Sequence, residues 1–175
     1  MRSEEEMANQ IKKILAPTDL SDFSQAGVRY ALNLARAVGA EVTVYYVVDR
    51  RDLAQHHDGE EEKVGIAAAF QQYERLRKSR QLALARFLNT HFSDLIPWVK
   101  IREKVELGVP AKSIVEWAKT DGADLVVISI CGKGGAAHQF VGSIAAEVVR
   151  NSSCPVLTIP PEPEEAENRQ LIATG

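Results

Sequence analysis

The sequence predicts an α/β fold of the Rossmann-like type, with helices on both faces of one doubly wound, five-stranded parallel sheet in a three-layer arrangement. Short β-branched runs alternate with longer helical periods along the chain, as in parallel strands joined by crossover helices. The chain has 175 residues, 45% of them hydrophobic, so it can form one domain with a filled core. We assign that domain to residues 11–160, between a disordered N-terminus (1–10) and an acidic, disordered tail (161–175).

The first predicted strand and helix occupy residues 11–39. The run IKKILAP, which ends at Pro17, predicts the strand. Ser21, Asp22 and Gly39 suit the N-cap, the first turn and the C-terminal stop of the helix. Apolar residues at spacings of three and four predict the buried helix face: Phe23, Gly27, Tyr30, Ala31, Leu34 and Val38.

The middle of the chain predicts a buried strand, a long helix and an edge strand. Residues 42–48 are all β-branched or aromatic, which indicates a central strand covered on both sides. After a polar loop at 50–63, a helical period covers 65–92, with apolar positions at Phe70, Tyr73, Leu76, Leu84, Phe87 and Leu88. Residues 95–105 predict a third strand that contains Pro97 and several charges, a pattern that favours a sheet edge.

The last third of the chain predicts two further helix–strand units. Pro110 fits the first position of a helix that ends at Gly122 and turns Ile114, Val115 and Ala118 inward. Residues 124–130 predict a buried fourth strand, followed by the Gly-rich stretch CGKGGAAHQFVGS. The segments SIAAEVVRN and CPVLTI predict the last helix and the fifth strand.

Composition limits the classes of function. A net charge of −3 and a pI near 5.8 argue against a nucleic-acid partner, which favours a basic face. No apolar run reaches the roughly 18 residues that a membrane span needs, and the N-terminus lacks an apolar signal region. Cys131 and Cys154 lack the spacing of a disulfide framework or a metal site. We therefore expect a cytoplasmic protein that engages neither nucleic acid nor a membrane.

In a doubly wound sheet, ligands bind beyond the carboxyl ends of the strands, which here selects residues 16–19, 47–49 and 129–135. In the Gly-rich stretch, Gly132, Gly134 and Gly135 allow backbone amides to turn toward a phosphate, and Lys133 adds positive charge. Gly142 and Ser143 start the next helix, where Ser143 can cap the helix and donate to a phosphate oxygen. The alternative is a flexible turn without a ligand.

Asp19, at the tip of the first strand, can accept hydrogen bonds from ribose hydroxyls or an adenine amine; alternatively it is a structural loop carboxylate. Signatures of nucleotide hydrolysis are missing, because a P-loop needs glycine where Val127 stands and Ser or Thr where Gly134 stands. No catalytic residue is predicted.

Several other residues have a structural reading beside a functional one. His56 and His57 suit a solvated loop better than a metal site, and His138 suits the surface. Trp98 and Trp117 are interpreted as packing residues. Cys131, beside the proposed anion cradle, is either an inert thiol or a redox-sensitive thiolate.

The pattern over residues 11–159 resembles the universal stress protein family. Four stretches carry the resemblance: KKILAPTDLSDFS, VTVYYVVD, VELGVPAKSIVEWAKTDGADLVVIS and GKGGAAHQFVGSIAAEVVRNSSCPVLTIP. In the nucleotide-binding branch of that family, the fourth strand and its loop carry the motif G-x-x-G-x9-G-[ST]. This sequence resembles the motif at Gly132, Gly142 and Ser143, whereas Ser129 stands in place of the first glycine. A Ser129 side chain is expected to approach the ribose there.

The resemblance implies an ATP site, with or without Mg²⁺, and assigns roles to individual positions. Asp19 corresponds to the acidic residue near adenine and ribose, with Pro17 and Thr18 in its turn, and Val47 to a residue whose backbone reads the adenine edge. Gly132, Gly142, Ser143 and Ile144 correspond to the phosphate cradle, with Lys133 beside it.

The resemblance also implies a homodimer that pairs through the last strand, at Val156, Leu157, Thr158 and Ile159. Members of the family act as stress-responsive regulators. Three hypotheses follow: a nucleotide-binding regulator that acts through an unknown partner protein, an interaction module of the same fold without nucleotide, and a slow ATPase.

Overall fold

The computed structural model describes residues 10–49, 66–130 and 142–160. Several sequence-based predictions lie outside these ranges: the two disordered termini, the two histidines of the polar loop, and the functional roles of Cys131, Gly132, Lys133, Gly134, Gly135 and His138. The described elements are, in chain order, β1 (Lys13–Thr18), α1 (Asp22–Val38), β2 (Glu41–Asp49), α2 (Ile66–Phe92), a 3-10 turn (Ile96–Trp98), β3 (Lys100–Gly108), α3 (Pro110–Asp121), β4 (Leu125–Ser129), α4 (Ser143–Asn151) and β5 (Val156–Ile159).

The five strands form one parallel sheet in the order β3-β2-β1-β4-β5, which confirms the predicted doubly wound fold. Helices α1 and α2 contribute to a core on one face of the sheet, around Val28, Leu84 and Val44. Helices α3 and α4 contribute to a second core on the other face, around Ile114, Val148 and Tyr45. The strand order reverses direction between β1 and β4, so the topological switch point lies there.

Local signals placed most helix ends correctly. Ser21 is the N-cap of α1, and Gly39 and Gly122 end α1 and α3 at φ of 74° and 66°, in the left-handed region that glycine adopts readily. Pro110 is the first residue of α3, and α4 spans the predicted nine residues. No helix in the described ranges is both long and apolar enough to cross a bilayer.

The predicted buried face of α1 is partly wrong. Tyr30 and Val38 are each 47% exposed, whereas α1 buries Val28, Leu32 and Ala35 against the sheet. The small residues Ser24, Ala26, Gly27 and Ala31 are also buried, because α1 lies close to the strands. The three-to-four spacing alone did not distinguish the stripe that faces the sheet from a second apolar stripe beside it.

The long helix α2 departs from its predicted pattern in the same way. Leu84, Phe87 and Leu88 are buried, but Phe70 is 64% exposed and Tyr73 is 38% exposed. The sheet therefore covers only the C-terminal part of the stripe that the sequence predicts.

The third strand begins later than predicted. Ile96–Trp98, with Pro97, form a 3-10 turn, and β3 runs from Lys100 to Gly108 at the predicted edge of the sheet. The proline lacks the N–H that a strand ladder uses, so strand pairing begins after it. Trp98 is 65% exposed, which contradicts its interpretation as a packing residue; Trp117, by contrast, packs against Tyr45 at 6.1 Å between ring centroids.

Candidate functional site

In a doubly wound sheet the ligand crevice is expected beyond the carboxyl ends of the two strands that flank the switch point, here β1 and β4, and these strands pair only at their amino ends. Their register joins Ile14 with Leu125 and Leu15 with Val126, and no pair follows. Pro17 lies beyond these pairs and is buried. The Lys13 carbonyl accepts a hydrogen bond from Asp124 N–H and so faces β4. Because every second residue of a strand turns its backbone groups to the same neighbour, the Pro17 nitrogen also faces β4. Because proline has no N–H to donate to the β4 carbonyl that faces it, the ladder between β1 and β4 stops at this residue.

A chain of hydroxyl groups fixes the turn after β1. Leu20 N–H donates to Thr18 Oγ1 at 3.0 Å, Thr18 Oγ1 lies 2.8 Å from Ser24 Oγ, and Ser24 Oγ–H donates to the Ser21 carbonyl at 2.8 Å. Because the Ser24 proton goes to that carbonyl, Thr18 must be the donor to Ser24. Sequence reasoning missed Ser24, whose only signal was a small polar residue on an otherwise apolar helix face.

Asp19 holds the same turn from its outer side. Its Oδ1 accepts hydrogen bonds from both Ser21 N–H, at 3.0 Å, and the Ser21 hydroxyl. Leu20, between them, has a φ of 62°, in the left-handed region that a leucine rarely adopts. The structural reading of Asp19 as a loop carboxylate is therefore supported. A carboxylate has about four acceptor sites, so these bonds do not exhaust its capacity to accept.

Val47 lies where β2 passes the end of β1. The last pair between these strands is Thr18 with Tyr46, so Val47 is the next residue along β2. Glu41 N–H donates to the Lys12 carbonyl, so the backbone groups of Glu41 face β1. Because every second residue of β2 faces the same neighbour, the backbone groups of Val47 face β1 as well. Its carbonyl has no ladder partner on β1, because Leu20 N–H is bound to Thr18. The Val47 side chain is buried, which fixes the strand here, and its carbonyl without a ladder partner suits the acceptance of a hydrogen bond from a purine edge.

Ser129 ends β4, and its side chain points in a direction that the sequence did not predict. The Ser129 hydroxyl accepts a buried hydrogen bond of 2.9 Å from the N–H of Gly27 in α1. A Cβ at Gly27 would lie 2.7 Å from Ser129 Oγ and 2.8 Å from Ser129 N, so only glycine fits there. The hydroxyl therefore faces α1, and the expected approach of this side chain to a ribose stays a prediction.

The N-terminus of α4 closes the crevice on the β4 side. Gly142, not Ser143, is the N-cap, which corrects the predicted capping role of Ser143. Gly142 N–H donates to the Ile130 carbonyl at 2.8 Å, and a Cβ at Gly142 would lie only 3.1 Å from that oxygen. The first helical bond runs from Ala146 N–H to the Gly142 carbonyl. Within the described residues, the amides of Ser143, Ile144 and Ala145 in the first turn have no acceptor, and we call them the open donors of α4.

These amides form a position where an anion is favoured. A glycine N-cap supplies no side-chain acceptor, and the first turn contains no acidic residue. Ser143 and Ile144 are exposed, so the open end of the helix is accessible to solvent. Helix N-termini bind phosphate through such amides and through the helix dipole. The donor set therefore fits the phosphates of a nucleotide, although α4 by itself does not select one.

The structure brings most of the predicted site residues to one edge of the sheet. Pro17, Thr18, Asp19 and Val47 end β1 and β2, whereas Gly142, Ser143 and Ile144 begin α4. Ser129 is near them through its backbone only, and Gly132 and Lys133 lie outside the described residues. Within the described ranges, no group of three His, Cys, Asp or Glu side chains can hold a metal ion.

The fold and the donors at this edge define a doubly wound α/β protein with helices on both faces of a parallel sheet. The sequence model described as "Universal stress protein family" matches residues 10–160, so the chain belongs to the universal stress protein family. It is 35% identical over 153 residues to Universal stress protein MJ0531 of Methanocaldococcus jannaschii, with 86% of this chain and 83% of that protein covered.

Solved structures share the fold. The structure of MJ0577, from the same organism, superposes with a TM-score of 0.65 at 22% identity, covering 87% of this chain and 98% of that one. A universal stress protein solved in complex with cAMP superposes with a TM-score of 0.55 at 24% identity, covering 87% of this chain and 99% of that one.

Proposed function

We propose that this universal stress protein binds an adenine nucleotide, with ATP as the expected ligand, at the carboxyl edge of its sheet. In this proposal it is a cytoplasmic stress-response regulator whose nucleotide-bound state acts on a partner protein. The open first-turn amides of α4, behind a glycine N-cap, carry the proposal, because these donors beside the β1–β4 crevice have no acceptor among residues 10–49, 66–130 and 142–160. The complex of a structural neighbour with cAMP supports the choice of an adenine compound.

Each part of the ligand then has a matching group. The phosphates accept hydrogen bonds from the amides of Ser143, Ile144 and Ala145, and Ser143 adds its hydroxyl. The adenine amine donates to the Val47 carbonyl, and the ribose hydroxyls donate to the Asp19 carboxylate. No residue of the described site is positioned as a general base, so turnover of ATP is not part of the proposal.

Calorimetry with ATP, with and without Mg²⁺, on protein freed of carried-over ligand tests the proposal. We expect saturable binding, and Asp19→Asn is expected to weaken it by about tenfold, because an amide replaces one charged acceptor. The Asn amide oxygen can still accept from Ser21, so the melting temperature of the variant should change little. Asp19→Ala is the matched variant that loses both roles and should also lower the melting temperature.

Other results would select the alternatives. Absence of heat and of thermal stabilisation with ATP, ADP and AMP near millimolar concentration would contradict nucleotide binding and favour an interaction module of the same fold. Phosphate release above the buffer rate, abolished by Gly142→Asp, would instead identify a slow ATPase.

We also propose that two copies pair through the open edge of β5. Val156, Leu157, Thr158 and Ile159 are all partly exposed, and among the described strands β5 pairs with β4 alone. Beside this edge lies the second apolar stripe of α1, which includes Tyr30, Leu34 and Val38. A neighbouring copy would cover both the unpaired strand edge and this stripe.

Thr158→Pro tests this dimer. The Ile130 N–H bonds the Ile159 carbonyl, so by strand alternation the Thr158 N–H faces the open edge and not β4. Proline removes that donor without removing a β4–β5 bond, and we expect a monomer by light scattering after size exclusion. Thr158→Val is the control that keeps the N–H and should remain dimeric. A wild-type chain that is monomeric at high concentration would contradict the dimer.

A further inference from the structure

An open cleft lies at the opposite, amino edge of the sheet from the proposed nucleotide site. Its volume is about 320 Å³, and it is lined by Lys12, Lys13, Gly39, Ala40, Glu41 and Lys100. These residues begin β1, β2 and β3 and end α1, so the cleft walls are fixed by the sheet.

Cations surround this cleft. Lys100 and Arg102 both bind the Glu41 carboxylate, Arg102 also binds Asp121, and Lys13 Nζ donates to the Asp121 carbonyl at 2.8 Å. The hydrogen bond from Lys100, together with the neighbouring positive charges, holds the pKa of Glu41 below its ordinary value despite partial burial. The cluster thus already binds one carboxylate. Lys12 Nζ has no partner in the described part of the chain.

An exposed apolar side chain adjoins the cations. Trp98, two residues before Lys100, is 65% exposed. The Arg36 guanidinium lies 5.5 Å from the centre of the Trp98 ring. Exposed Trp and Arg together are typical of residues that contribute most to protein interfaces. We call the surface formed by Lys12, Lys13, Arg36, Trp98 and Lys100 the basic edge.

We propose that the basic edge docks an acidic peptide segment of a partner protein, with carboxylates at Lys12 and Lys100 and an apolar side chain against Trp98. Charge complementarity favours a peptide over a nucleic acid or an anionic bilayer. Glu41, Asp121 and the nearby Asp124 interrupt the positive charge, and the chain as a whole carries −3, so a dense row of phosphates is repelled. A peptide can space its carboxylates between these acidic positions.

The basic edge lies far from the β1–β4 crevice. The nine residues of β2 alone separate the two edges by roughly 25–30 Å at about 3.3 Å per residue. The docking proposal therefore does not depend on nucleotide binding, and each can fail while the other holds.

Fluorescence anisotropy with a fluorescein-labelled peptide of alternating glutamate and leucine tests the docking surface in the full chain. We expect micromolar binding that weakens by about tenfold when salt is raised from roughly 50 to 500 mM. A peptide with glutamine in place of each glutamate should not bind. Trp98 and Trp117 are the only tryptophans, so a change in tryptophan emission that disappears in Trp98→Phe would place the peptide at this edge.

Matched variants decide the outcome. Lys12→Gln with Lys100→Gln should weaken binding by about tenfold, whereas Lys78→Gln with Lys112→Gln, the same charge change on other surfaces, should not. Glu41→Gln should strengthen binding about threefold, because it frees Lys100 and Arg102. ATP binding should be unchanged in all of these variants. Equal peptide affinity of the two double variants, or binding of RNA or anionic vesicles without the peptide, would overturn the proposal.

Discussion

Gly27→Val is expected to lower the free energy of unfolding by about 3 kcal/mol, at the upper end of overpacking effects. A Cβ at this position would lie 2.7 Å from Ser129 Oγ and 2.8 Å from Ser129 N, and 3.3 Å from the Ile128 carbonyl carbon. The hydroxyl can rotate away, but the backbone nitrogen belongs to a central strand and can move only with the sheet. The closeness of α1 to β4 is therefore incompatible with a side chain at Gly27.

Denaturant unfolding of a short series of variants measures this effect. Gly27→Ala should cost less than valine, because alanine favours a helix by about 1 kcal/mol over glycine and this gain offsets part of the clash. Ala37→Val, on the exposed side of α1, is the control for a valine in this helix and should cost below about 1 kcal/mol. A Gly27→Val chain as stable as this control would show that α1 does not contact β4 at Ser129.

The same contact predicts the outcome of Ser129→Gly. This change restores the glycine of the family pattern, but the lost hydroxyl is bound to Gly27 N–H, so we expect a loss of stability of about 1 kcal/mol and no gain in ATP affinity. In the double variant Ser129→Gly with Gly27→Ala, only part of the stability lost in Gly27→Ala should return. The reason is that the backbone nitrogen of residue 129 would still lie 2.8 Å from the added Cβ. A clear gain in ATP affinity would mean that the serine side chain does reach the ligand.

Gly142→Asp is expected to separate stability from nucleotide binding. The backbone at Gly142, with φ −55° and ψ 151°, is accessible to any residue, and an Asp carboxylate at the N-cap can accept from the open amides of α4. It would occupy the donors assigned to the phosphates and repel them. We expect ATP affinity to fall by at least about thirtyfold, while the close approach of a Cβ to the Ile130 carbonyl offsets most of the capping gain in stability.

Gly142→Asn and Gly142→Ala are the matched controls for calorimetry and thermal melting. Asn caps the helix without a charge, so its effect on ATP affinity should fall between those of Ala and Asp. Ala adds the same Cβ contact with Ile130 but no acceptor, so it measures the steric part alone. If Asp and Ala weaken ATP binding equally, the amides of α4 do not bind the phosphates.

Local chemistry explains which elements the sequence predicted well. Ser21, Gly39, Pro110 and Gly122 mark helix ends through capping, positive φ and the missing proline N–H, and each of these effects acts within a few residues. The continuous β-branched run of β2 predicted a strand covered on both faces, and its interior is buried throughout. The parallel, doubly wound sheet followed from the alternation of such elements.

Errors arose where several local patterns were equally consistent with the sequence. In α1, two apolar stripes share the helical period, and the one with Tyr30 and Val38 remains exposed because the sheet lies beside the other. Residues 95–99 contain enough apolar side chains for a strand, but Pro97 and the end of α2 form a turn instead. The same turn leaves Trp98 exposed at the basic edge.

Short-range periodicity and the handedness of crossovers were enough to predict the fold class, the order of the elements and the edge of the sheet at which the nucleotide site is proposed. The orientation of Ser129 toward α1 is visible only in the folded chain, since the Gly27–Ser129 contact joins residues 102 positions apart. The same holds for the bonds by which Asp19 stabilises its own turn and for the lysines of β1 and β3 that meet around Glu41. Such groups come together through strand pairing and helix docking, and neither leaves a local pattern in the chain.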